Sequence, residues 1–439
     1  MTIESILALA TYFACVLPVG WILARFIPIQ ERYMRLALSY GLGTAILSLE
    51  LFIYFFILRF NFSFYLFVFV FLQALICLIF WIYHRQKNQL LDFNFKNFKL
   101  LEICLLVLIS ICIIFPALQA TVKPTIAFDA IINWSKRSKI LLYEDRIDFN
   151  PQSDRYLAVP GNSTYPWHTS LLEYWLRQLG GTDIVVNFLP LSSFIGIILV
   201  LYYSLSQRLS RLISLSLVFF FASMPLIAYH SINPYADLTL AFFVVTSLVL
   251  FVQWLEKRTD IFLYFSAFFI GWGFFIKNDG IFSILAWLGA TGVTWWLDKK
   301  SLSWKLLLKS LGFMIVPLVF WLGFRVVYNL GLNSLTSINN LHTEIFYPII
   351  RSFFIFNNWN VWWYIFILII ILRFKTFRKN FKFLTVVSFF LVYLGAIFFT
   401  YLTSGYYQFA LDPRTFIPLI PISILLVGLA LQENKKAVV

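Results

Sequence analysis

Long apolar runs separated by short polar segments occupy almost the whole sequence. Each run approaches the twenty or so helical residues that cross the hydrocarbon core of a bilayer. The stretch 261–297 is far too long for one span, but the polar group Lys277-Asn278-Asp279-Gly280 divides it into two runs joined by a tight hairpin. The pattern predicts an all-α polytopic membrane protein with about 13 transmembrane helices. The predicted spans are 4–26, 36–58, 62–83, 100–119, 184–206, 212–229, 237–255, 261–276, 281–297, 304–329, 359–373, 383–403 and 415–431.

One long polar interval, 120–182, separates the fourth and fifth predicted spans. It is rich in Trp, Tyr and Phe, which argues against a disordered tether and for a folded functional loop. We expect an amphipathic juxtamembrane helix over Ala130–Tyr143 and a second one near the end of the loop. The apolar face of the second helix is expected in the membrane interface, with His168 and Glu173 pointing elsewhere, toward a cavity. That face comprises Trp167, Leu171, Tyr174, Trp175 and Gln178.

The composition excludes a soluble globular domain. Hydrophobic residues make up 61% of the chain, charged residues only 12%, and the mean hydropathy is +0.84. The N-terminal segment has an apolar core of span length without a basic leading region, so we expect a first transmembrane helix there rather than a cleaved signal. All four cysteines fall in apolar runs, which favours neither a disulfide framework nor a zinc site.

The basic residues fall mainly in alternate loops. Of the 34 Lys and Arg residues, 22 lie in every second connection, and short loops rich in Lys and Arg stay in the cytoplasm. An odd number of spans then places the N-terminus outside, the C-terminus in the cytoplasm and the 120–182 loop outside. The net charge of +14 follows from this topology and from contact with anionic membrane lipids, so no nucleic-acid partner is needed. The basic connections are 25–35, 85–99, 208–211, 257–258, 299–309, 373–382 and 435–436.

Asp129 stands among apolar residues about ten positions after the fourth predicted span. A carboxylate that is partly desolvated at a membrane surface suits a general base. Asp is also a favoured N-cap, and a helix is predicted from the next residue. Both roles stay open on spacing alone. His168, at the junction between loop and helix, is likewise either catalytic or a hydrogen-bonded structural residue.

Further polar groups lie at the ends of later spans on the same predicted face. Tyr235 and Asp237 begin the seventh span, the hairpin 277–280 follows the eighth, and Asp412 and Arg414 enter the last. Ionisable groups at an apolar boundary are costly and usually serve a polar cavity. Each could instead be a loop charge or a helix cap, but their common side favours one site.

In their order along the chain these features resemble the GT-C superfamily of integral-membrane glycosyltransferases, particularly the protein O-mannosyltransferases and the lipid A aminoarabinose transferases. The resemblance covers about residues 100–431 and implies a donor sugar carried on a polyprenyl phosphate. It leaves 1–99 as an N-terminal three-helix extension and 432–439 as a cytoplasmic tail. The shared features are an acidic residue in the first large outer loop, a Tyr-Pro segment closing that loop, a Tyr-Ala-Asp at an outer helix start, a Lys-Asn-Asp-Gly hairpin and a late Arg before Pro.

The resemblance also implies roles for individual residues. Asp129 takes the place of the catalytic base, while Tyr165 and His168 belong to the loop-closing segment, with His168 as a second catalytic candidate. Lys277 and Arg414 match basic positions that contact the donor phosphate. The chain departs from the family in its three leading spans and in the lack of a second acidic residue beside Asp129, which leaves a divalent cation open as a cofactor. The other candidates for substrate binding are Glu173, Tyr235, Asp237, Asn278 and Asp279.

These expectations describe a glycosyltransferase of cell-envelope glycosylation. It would move a sugar from a polyprenyl-phosphate donor to a hydroxyl of an acceptor protein, lipid or glycan, at the outer face of a bacterial inner or plasma membrane. A base would deprotonate the acceptor, and positive charge would stabilise the leaving phosphate. A multi-span transporter or lipid flippase is one alternative, although such proteins carry paired polar breaks near the midplane. A non-catalytic subunit of a glycan-assembly complex is another.

The roles given to the charged residues require a single site. Asp129, His168, Lys277 and Arg414 are therefore predicted to converge around one outward-facing cavity that opens sideways to lipid.

Overall fold

The computed structural model describes residues 2–61, 64–83, 98–158, 163–299, 302–331, 341–377 and 380–432. Across these residues the chain forms seventeen α-helices and no β-sheet, so the predicted all-α class is confirmed. The helices are α1 (Ile3–Ala24), α2 (Arg32–Phe52), α3 (Phe64–Tyr83), α4 (Leu100–Val122), α5 (Lys136–Glu144), α6 (His168–Gln178), α7 (Phe188–Ser206), α8 (Arg211–Ala222), α9 (Pro225–Ser231), α10 (Ala236–Lys257), α11 (Asp260–Ile276), α12 (Gly280–Leu297), α13 (Trp304–Val327), α14 (Phe346–Ile350), α15 (Trp362–Phe377), α16 (Phe381–Thr403) and α17 (Leu419–Leu431).

Ten helices in the described residues are long and apolar enough to cross a membrane. An eleventh span results if α8 and α9, which meet at a bend of 68°, are one span. The predicted spans 261–276 and 359–373 correspond to shorter helices, α11 of 17 residues and α15 of 16 residues. A multi-pass helical membrane protein is therefore confirmed, while the count of thirteen stays a prediction. The long spans are Ile3–Ala24, Arg32–Ile57, Phe64–Tyr83, Leu100–Val122, Val185–Ser206, Ala236–Lys257, Gly280–Leu297, Trp304–Val327, Phe381–Thr403 and Pro413–Leu431.

Ion pairs join the ends of several helices on one face of the bundle, which is called the basic face. Arg208 after α7 pairs with Glu256 near the end of α10 at 2.7 Å, and Lys382 at the start of α16 lies 3.4 Å from the same carboxylate. Arg258 and Asp298 join the ends of α10 and α12 at 2.7 Å. This grouping agrees with the predicted alternation of loops, and the side of the membrane that the basic face adjoins stays a prediction. Parts of the predicted basic loops lie outside the described residues, at 84–97, 300–301, 378–379 and 433–439.

Helix α10 lies at the centre of the bundle. Its span is entirely enclosed by protein, with α7, α11 and α17 among its neighbours. Ser247 satisfies its hydroxyl there by donating to the carbonyl of Ser266 in α11 at 2.7 Å. Asp237 lies in the first turn of α10 and Glu256 near its end, roughly 28 Å apart at about 1.5 Å of rise per residue. The end that carries Asp237 is therefore opposite the basic face, and is called the site face below.

Helices α1 and α2 pack directly on the rest of the bundle, and α3 packs on α1. Helices α1 and α2 approach closely because Gly20 and Gly43 lack side chains, and a Cβ on either would collide with the facing backbone. Helix α2 also contacts α6 and α7, where the hydroxyl of Tyr40 donates to the carbonyl of Leu189 at 3.1 Å. The division into an extension, 1–99, and a catalytic part stays a prediction, and the two parts share a packed interface.

The first helix of the polar loop is confirmed in a modified form. A π-helical turn, Ala130–Ser135, runs directly into α5, so helical structure extends to Glu144. Turns of this kind are rare and occur frequently at functional sites. Asp129 immediately precedes the turn.

The second loop helix lies inside the protein rather than at the membrane interface. Helix α6 is buried along almost its whole length, and Trp167 and Tyr174 beside and within it are 0% exposed. Phe56 packs on Trp167 with ring centroids 4.5 Å apart, and Phe55 on Tyr174 at 5.2 Å. The interface prediction for this aromatic face is wrong, because the last turn of the α2 span supplies protein partners that cover it.

Candidate functional site

Charged side chains from separate parts of the chain meet at the site face. Asp129 comes from the polar loop, Asp237 from α10, Lys277 from the hairpin between α11 and α12, and Arg414 from the entry to α17. The two cations lie within electrostatic range of each other, since Arg414 opposes the positive charge of Lys277. Within the described residues this charged cluster consists of Asp129, Asp237, Lys277, Asp279, Asp412 and Arg414.

Lys277 bridges two carboxylates. Its Nζ lies 2.7 Å from Asp237 Oδ1 and 2.7 Å from Asp279 Oδ2. Burial alone would lower the pKa of Lys277, but the two carboxylates outweigh it and raise the pKa well above its ordinary value. The hairpin that presents Lys277 depends on Gly280, because a Cβ there would run into the backbone of Gly273. Lys277 is therefore a fixed, permanently charged group.

Arg414 bridges the other two carboxylates. Its Nη1 is paired with Asp129 Oδ2, and its Nε lies 2.6 Å from Asp412 Oδ2. Asp412 also accepts the backbone N–H of Arg414 at 3.1 Å, which fixes the turn that carries the guanidinium. The guanidinium lies over the ring of Tyr235, 5.4 Å from its centroid. Arg414 is thus held from three directions.

The capping alternative for Asp129 is wrong. Asp129 already has helical backbone angles, φ −67° and ψ −32°, and its side chain makes no capping hydrogen bond with the described residues. Its carboxylate is directed instead to Arg414, 285 positions later in the chain. Sequence spacing does not record this long-range pair, and the general-base role of Asp129 stays a prediction.

The charged cluster is buried on its inner side and open on its outer side. The side chains of Asp237 and Lys277 are 5% and 14% exposed, whereas those of Asp129 and Asp412 are 29% and 36% exposed. In the part of the chain that the structure describes, four carboxylates face two cations here, which leaves two excess negative charges. A ligand can therefore reach Asp129, while the inner ion pair keeps its shape.

Apolar side chains flank the open side. Ile126 and Phe128, next to Asp129, are strongly exposed, and so are Phe409 and Leu411, just before Arg414. Exposed aliphatic and aromatic groups at a helix end are suited to contact with lipid. The open carboxylate thus adjoins surfaces that an apolar chain can cover.

Tyr165 and Asn278 lie at the inner edge of the charged cluster. Burial raises the pKa of Tyr165 to about 12, with Lys277 opposing and the carboxylates of Asp279 and Asp129 adding to the shift, so the phenol stays protonated. Asn278 donates to the carbonyl of Thr164 at 2.8 Å and accepts from the indole of Trp321 at 3.3 Å. The predicted substrate-binding residue Asn278 therefore ties the hairpin to the segment that carries Tyr165.

His168 lies apart from the charged cluster. Its Nδ1 accepts the indole N–H of Trp272 at 3.2 Å and lies 2.8 Å from Ser48 Oγ. Since an indole N–H can only donate, the neutral ring carries its proton on Nε2. His168 is 0% exposed, and burial lowers its pKa to about 3. The predicted convergence is wrong for His168, because its partners come from α2 and α11 in the core.

Glu173 belongs to a second, buried network. Its Oε2 accepts from Ser135 Oγ at 2.7 Å and from Ser138 Oγ at 3.2 Å, and Arg177 lies 3.6 Å away. Arg177 also pairs with Asp183 at 2.5 Å. Burial raises the pKa of Glu173 to about 7, with Arg177 opposing the shift. These contacts join α6 to the π-helical turn, so the structure places Glu173 between the loop helices rather than at the cluster.

The chain matches no protein-family model, no curated protein and no solved structure. The resemblance to GT-C glycosyltransferases accordingly stays a prediction from the sequence motifs. What the site can do chemically follows from partly exposed carboxylates, two neighbouring cations and the apolar side chains around them.

The carboxylates of the cluster do not fit a metal ion. Each of the four described here is paired with Lys277 or Arg414, and no group of three or more His, Cys, Asp or Glu in the described residues is arranged to hold a metal. The divalent cation left open by the sequence therefore has no ready ligand set among the described residues.

Sequence reasoning missed His230 and Arg137. His230 is buried and its ring lies 4.8 Å from that of Tyr235, behind Arg414. Its signal was a polar residue just before the Asn-Pro-Tyr-Ala-Asp turn. Arg137, fully buried in α5, looked like one loop charge among several, and its burial has no counterpart in the sequence pattern.

Proposed function

We propose that this chain is an integral-membrane glycosyltransferase that moves a sugar from a polyprenyl-phosphate donor to an acceptor hydroxyl, with Asp129 as general base. The observation that carries the proposal is the ion pair between Asp129, from the large polar loop, and Arg414, at the entry to the last span. Lys277 belongs to the same cluster. A base and two phosphate-binding cations are thus available at one partly exposed site.

The chemistry is a single displacement. Asp129 takes the proton of the acceptor hydroxyl as its oxygen bonds to the anomeric carbon. The bond from that carbon to the phosphate oxygen breaks, and the electron pair leaves with the polyprenyl phosphate, inverting the anomeric centre. Lys277 and Arg414 stabilise the negative charge that develops on the phosphate.

The ion pairs of the charged cluster suggest how donor binding frees Asp129 to act as the base. Both cations are occupied by carboxylates, so a donor phosphate has to replace one of them. If it replaces Asp129 on Arg414, the guanidinium stays anchored by Asp412 at 2.6 Å. Asp129 is then released to face the acceptor. The exposed Ile126 and Phe128 beside it favour a donor that brings an apolar chain.

The site is proposed to work at the outer face of a bacterial inner or plasma membrane. Alternate basic connections favour a cytoplasmic basic face, and the charged cluster lies at the other end of α10. An enzyme that takes its sugar from a lipid-linked donor needs no nucleotide-binding domain. The proposed partners are this donor and an acceptor protein, lipid or glycan.

The base is tested by Asp129→Asn, which keeps the shape of the side chain but cannot take a proton. Transfer from a radiolabelled polyprenyl-phosphate sugar by the purified, folded variant should fall by about 10² to 10⁴ in turnover, with donor binding kept or strengthened. Asp154→Asn, an exposed residue of the same loop, is the matched control and should transfer at the parental rate. Parental transfer by folded Asp129→Asn would remove Asp129 as the base.

The cations are tested by Lys277→Met and Arg414→Met in the same assay. Each removes a charge-assisted contact worth about 1.5 to 3 kcal/mol, so donor binding should weaken by about 10- to 100-fold along with turnover. Arg146→Met, exposed in the loop, controls for loss of charge. Unchanged donor binding in both variants would contradict phosphate recognition here. Movement of lipid-linked sugar without transfer by the parental chain would favour a flippase instead.

A further inference from the structure

Arg137 is a buried guanidinium with no anionic partner among the described residues. It lies in α5, two helical turns after Asp129, and is 1% exposed. In the described residues its Nε and Nη2 have no hydrogen-bond partner, and burial is the one influence on its pKa, which it lowers to about 9. A charge buried without a counter-ion is costly. The position of Arg137 therefore has to be explained by the contacts that it does make.

Those contacts all fall on three consecutive residues of the loop. Nη1 of Arg137 donates to the carbonyl of Tyr165 at 2.9 Å and to that of Pro166 at 3.0 Å. The guanidinium carbon lies 3.7 Å from the centroid of the Trp167 ring. A planar guanidinium can donate in its plane and stack with its face at the same time, which an ammonium cannot. Arg137 thus clamps the segment 165–167.

The clamped segment carries a side chain of the site. The phenol of Tyr165 is within electrostatic range of Asp129, Asp279 and Lys277. Its ring also packs edge-on against Trp134, with centroids 5.4 Å apart. Asp129, Trp134 and Arg137 follow one another on a single helical element, Asp129 at its beginning. The element that presents the base therefore also fixes the position of Tyr165.

We propose that Arg137 is a positioning residue that holds the Tyr165 hydroxyl beside Asp129, where it binds the acceptor hydroxyl. This inference rests on the proposed function and adds to it the residue pair that recognises the acceptor. The phenol, which stays protonated, donates a hydrogen bond to the acceptor oxygen. Asp129 removes the proton of the acceptor hydroxyl. Arg137 itself touches neither substrate, because its side chain is buried and its guanidinium is bonded to backbone carbonyls.

The test is a double-mutant cycle on the full-length purified chain. Tyr165→Phe removes the hydroxyl alone, and Arg137→Lys keeps the charge but loses the planar clamp. Each should lower kcat/KM for the acceptor by about 10- to 100-fold, since small misplacements in a site cost that much, with donor KM within about twofold of the parental value. In the Tyr165→Phe background, Arg137→Lys should add less than about a twofold loss. Lys136→Met, an exposed neighbour, is the control.

The outcomes separate the two proposals. Absence of transfer by the parental chain would overturn the proposed function, and the acceptor role of Tyr165 with it. Parental transfer with unaltered acceptor KM in Arg137→Lys would overturn the positioning role alone. Losses that multiply in the double variant, or that fall equally on donor and acceptor, would make Arg137 a general stabiliser of the loop. Arg137→Met serves as a second variant if Arg137→Lys does not fold.

Discussion

The free-energy cost of burying a charged side chain is offset by neighbouring groups to very different degrees in this protein. Lys277 has two carboxylates at 2.7 Å and stays charged. Arg137 has carbonyl groups and an aromatic face in place of an anion. Glu173 has hydroxyl donors and a cation at 3.6 Å, which together do not outweigh its burial. Of the three, Glu173 is the side chain whose charge should change near neutral pH.

The buried state of Glu173 predicts a pH-dependent stability. Its pKa is raised from 4.5 to about 7 in the folded protein, so the folded state binds this proton more tightly than the unfolded chain. The contribution of Glu173 to stability should therefore fall as pH rises from 4.5 to 7, by up to about 3 kcal/mol, since one pKa unit corresponds to about 1.4 kcal/mol. The buried neutral His168, whose pKa is lowered, contributes in the opposite direction. Thermal unfolding of the parental chain and of Glu173→Gln in detergent between pH 5 and pH 8 checks this, because the stability of the parental chain relative to Glu173→Gln should fall as pH rises.

Asp154→Asn, on the exposed part of the loop, should retain the parental pH dependence and serves as the control. An equal pH dependence in the parental chain and in Glu173→Gln would mean that another group titrates in this window.

At the scale of elements, the hairpin between α11 and α12 supplies two members of the charged cluster and Asn278. Its tightness depends on the contact between Gly280 and the backbone of Gly273. Gly280→Ala should therefore destabilise the protein by about 1 to 3 kcal/mol through overpacking, and should weaken donor binding through Lys277. Thermal unfolding and donor binding are the two measurements.

Helix α12 offers its own control for this substitution. At Gly292 an added Cβ meets open space, so Gly292→Ala should be neutral or stabilising by up to about 1 kcal/mol. Equal effects of the two substitutions would show that the hairpin tolerates a side chain at position 280.

Helices and their ends could be predicted from the sequence wherever nearby residues determine where a helix stops. The Lys-Asn-Asp-Gly group interrupts an apolar run, so the hairpin was expected and is present. The bend between α8 and α9 was not expected, although Pro225 within the run 212–229 is a residue that ends or kinks a helix. The burial of α6 was not expected either, since its aromatic face has the composition of an interfacial helix. Its contacts with α1, α2 and α5 distinguish the two.

At the scale of the whole molecule, the proposed orientation can be tested by accessibility. A cysteine introduced at Gln152, exposed in the loop, should react with a membrane-impermeant reagent added outside intact cells. A reporter fused to the C-terminus should give a cytoplasmic signal. The parental chain, whose cysteines lie in helices, controls for background labelling. Labelling at 152 only after permeabilisation would invert the proposed topology.

The composition of the site was accessible to sequence reasoning, but its internal pairing was not. The side of the membrane on which a loop lies is predicted from the charges of the loops themselves. This prediction placed Asp129, Lys277 and Arg414 on one face. The partner that each carboxylate takes depends on how helices far apart in sequence pack, as in the pair Asp129–Arg414. The same packing removed His168 from the site by placing Ser48 and Trp272 against it.

The enclosure of α10 has a consequence for biosynthesis. Helices leave the ribosome in chain order, so α10 enters the bilayer after its neighbour α7 but before its neighbours α11 and α17. A helix that meets no lipid in the finished bundle must therefore be soluble in lipid for the time that its later neighbours take to be made. Its nearly continuous apolar sequence therefore suits both that interval of synthesis and the final packing, and the enclosure is complete only after α17 has been made.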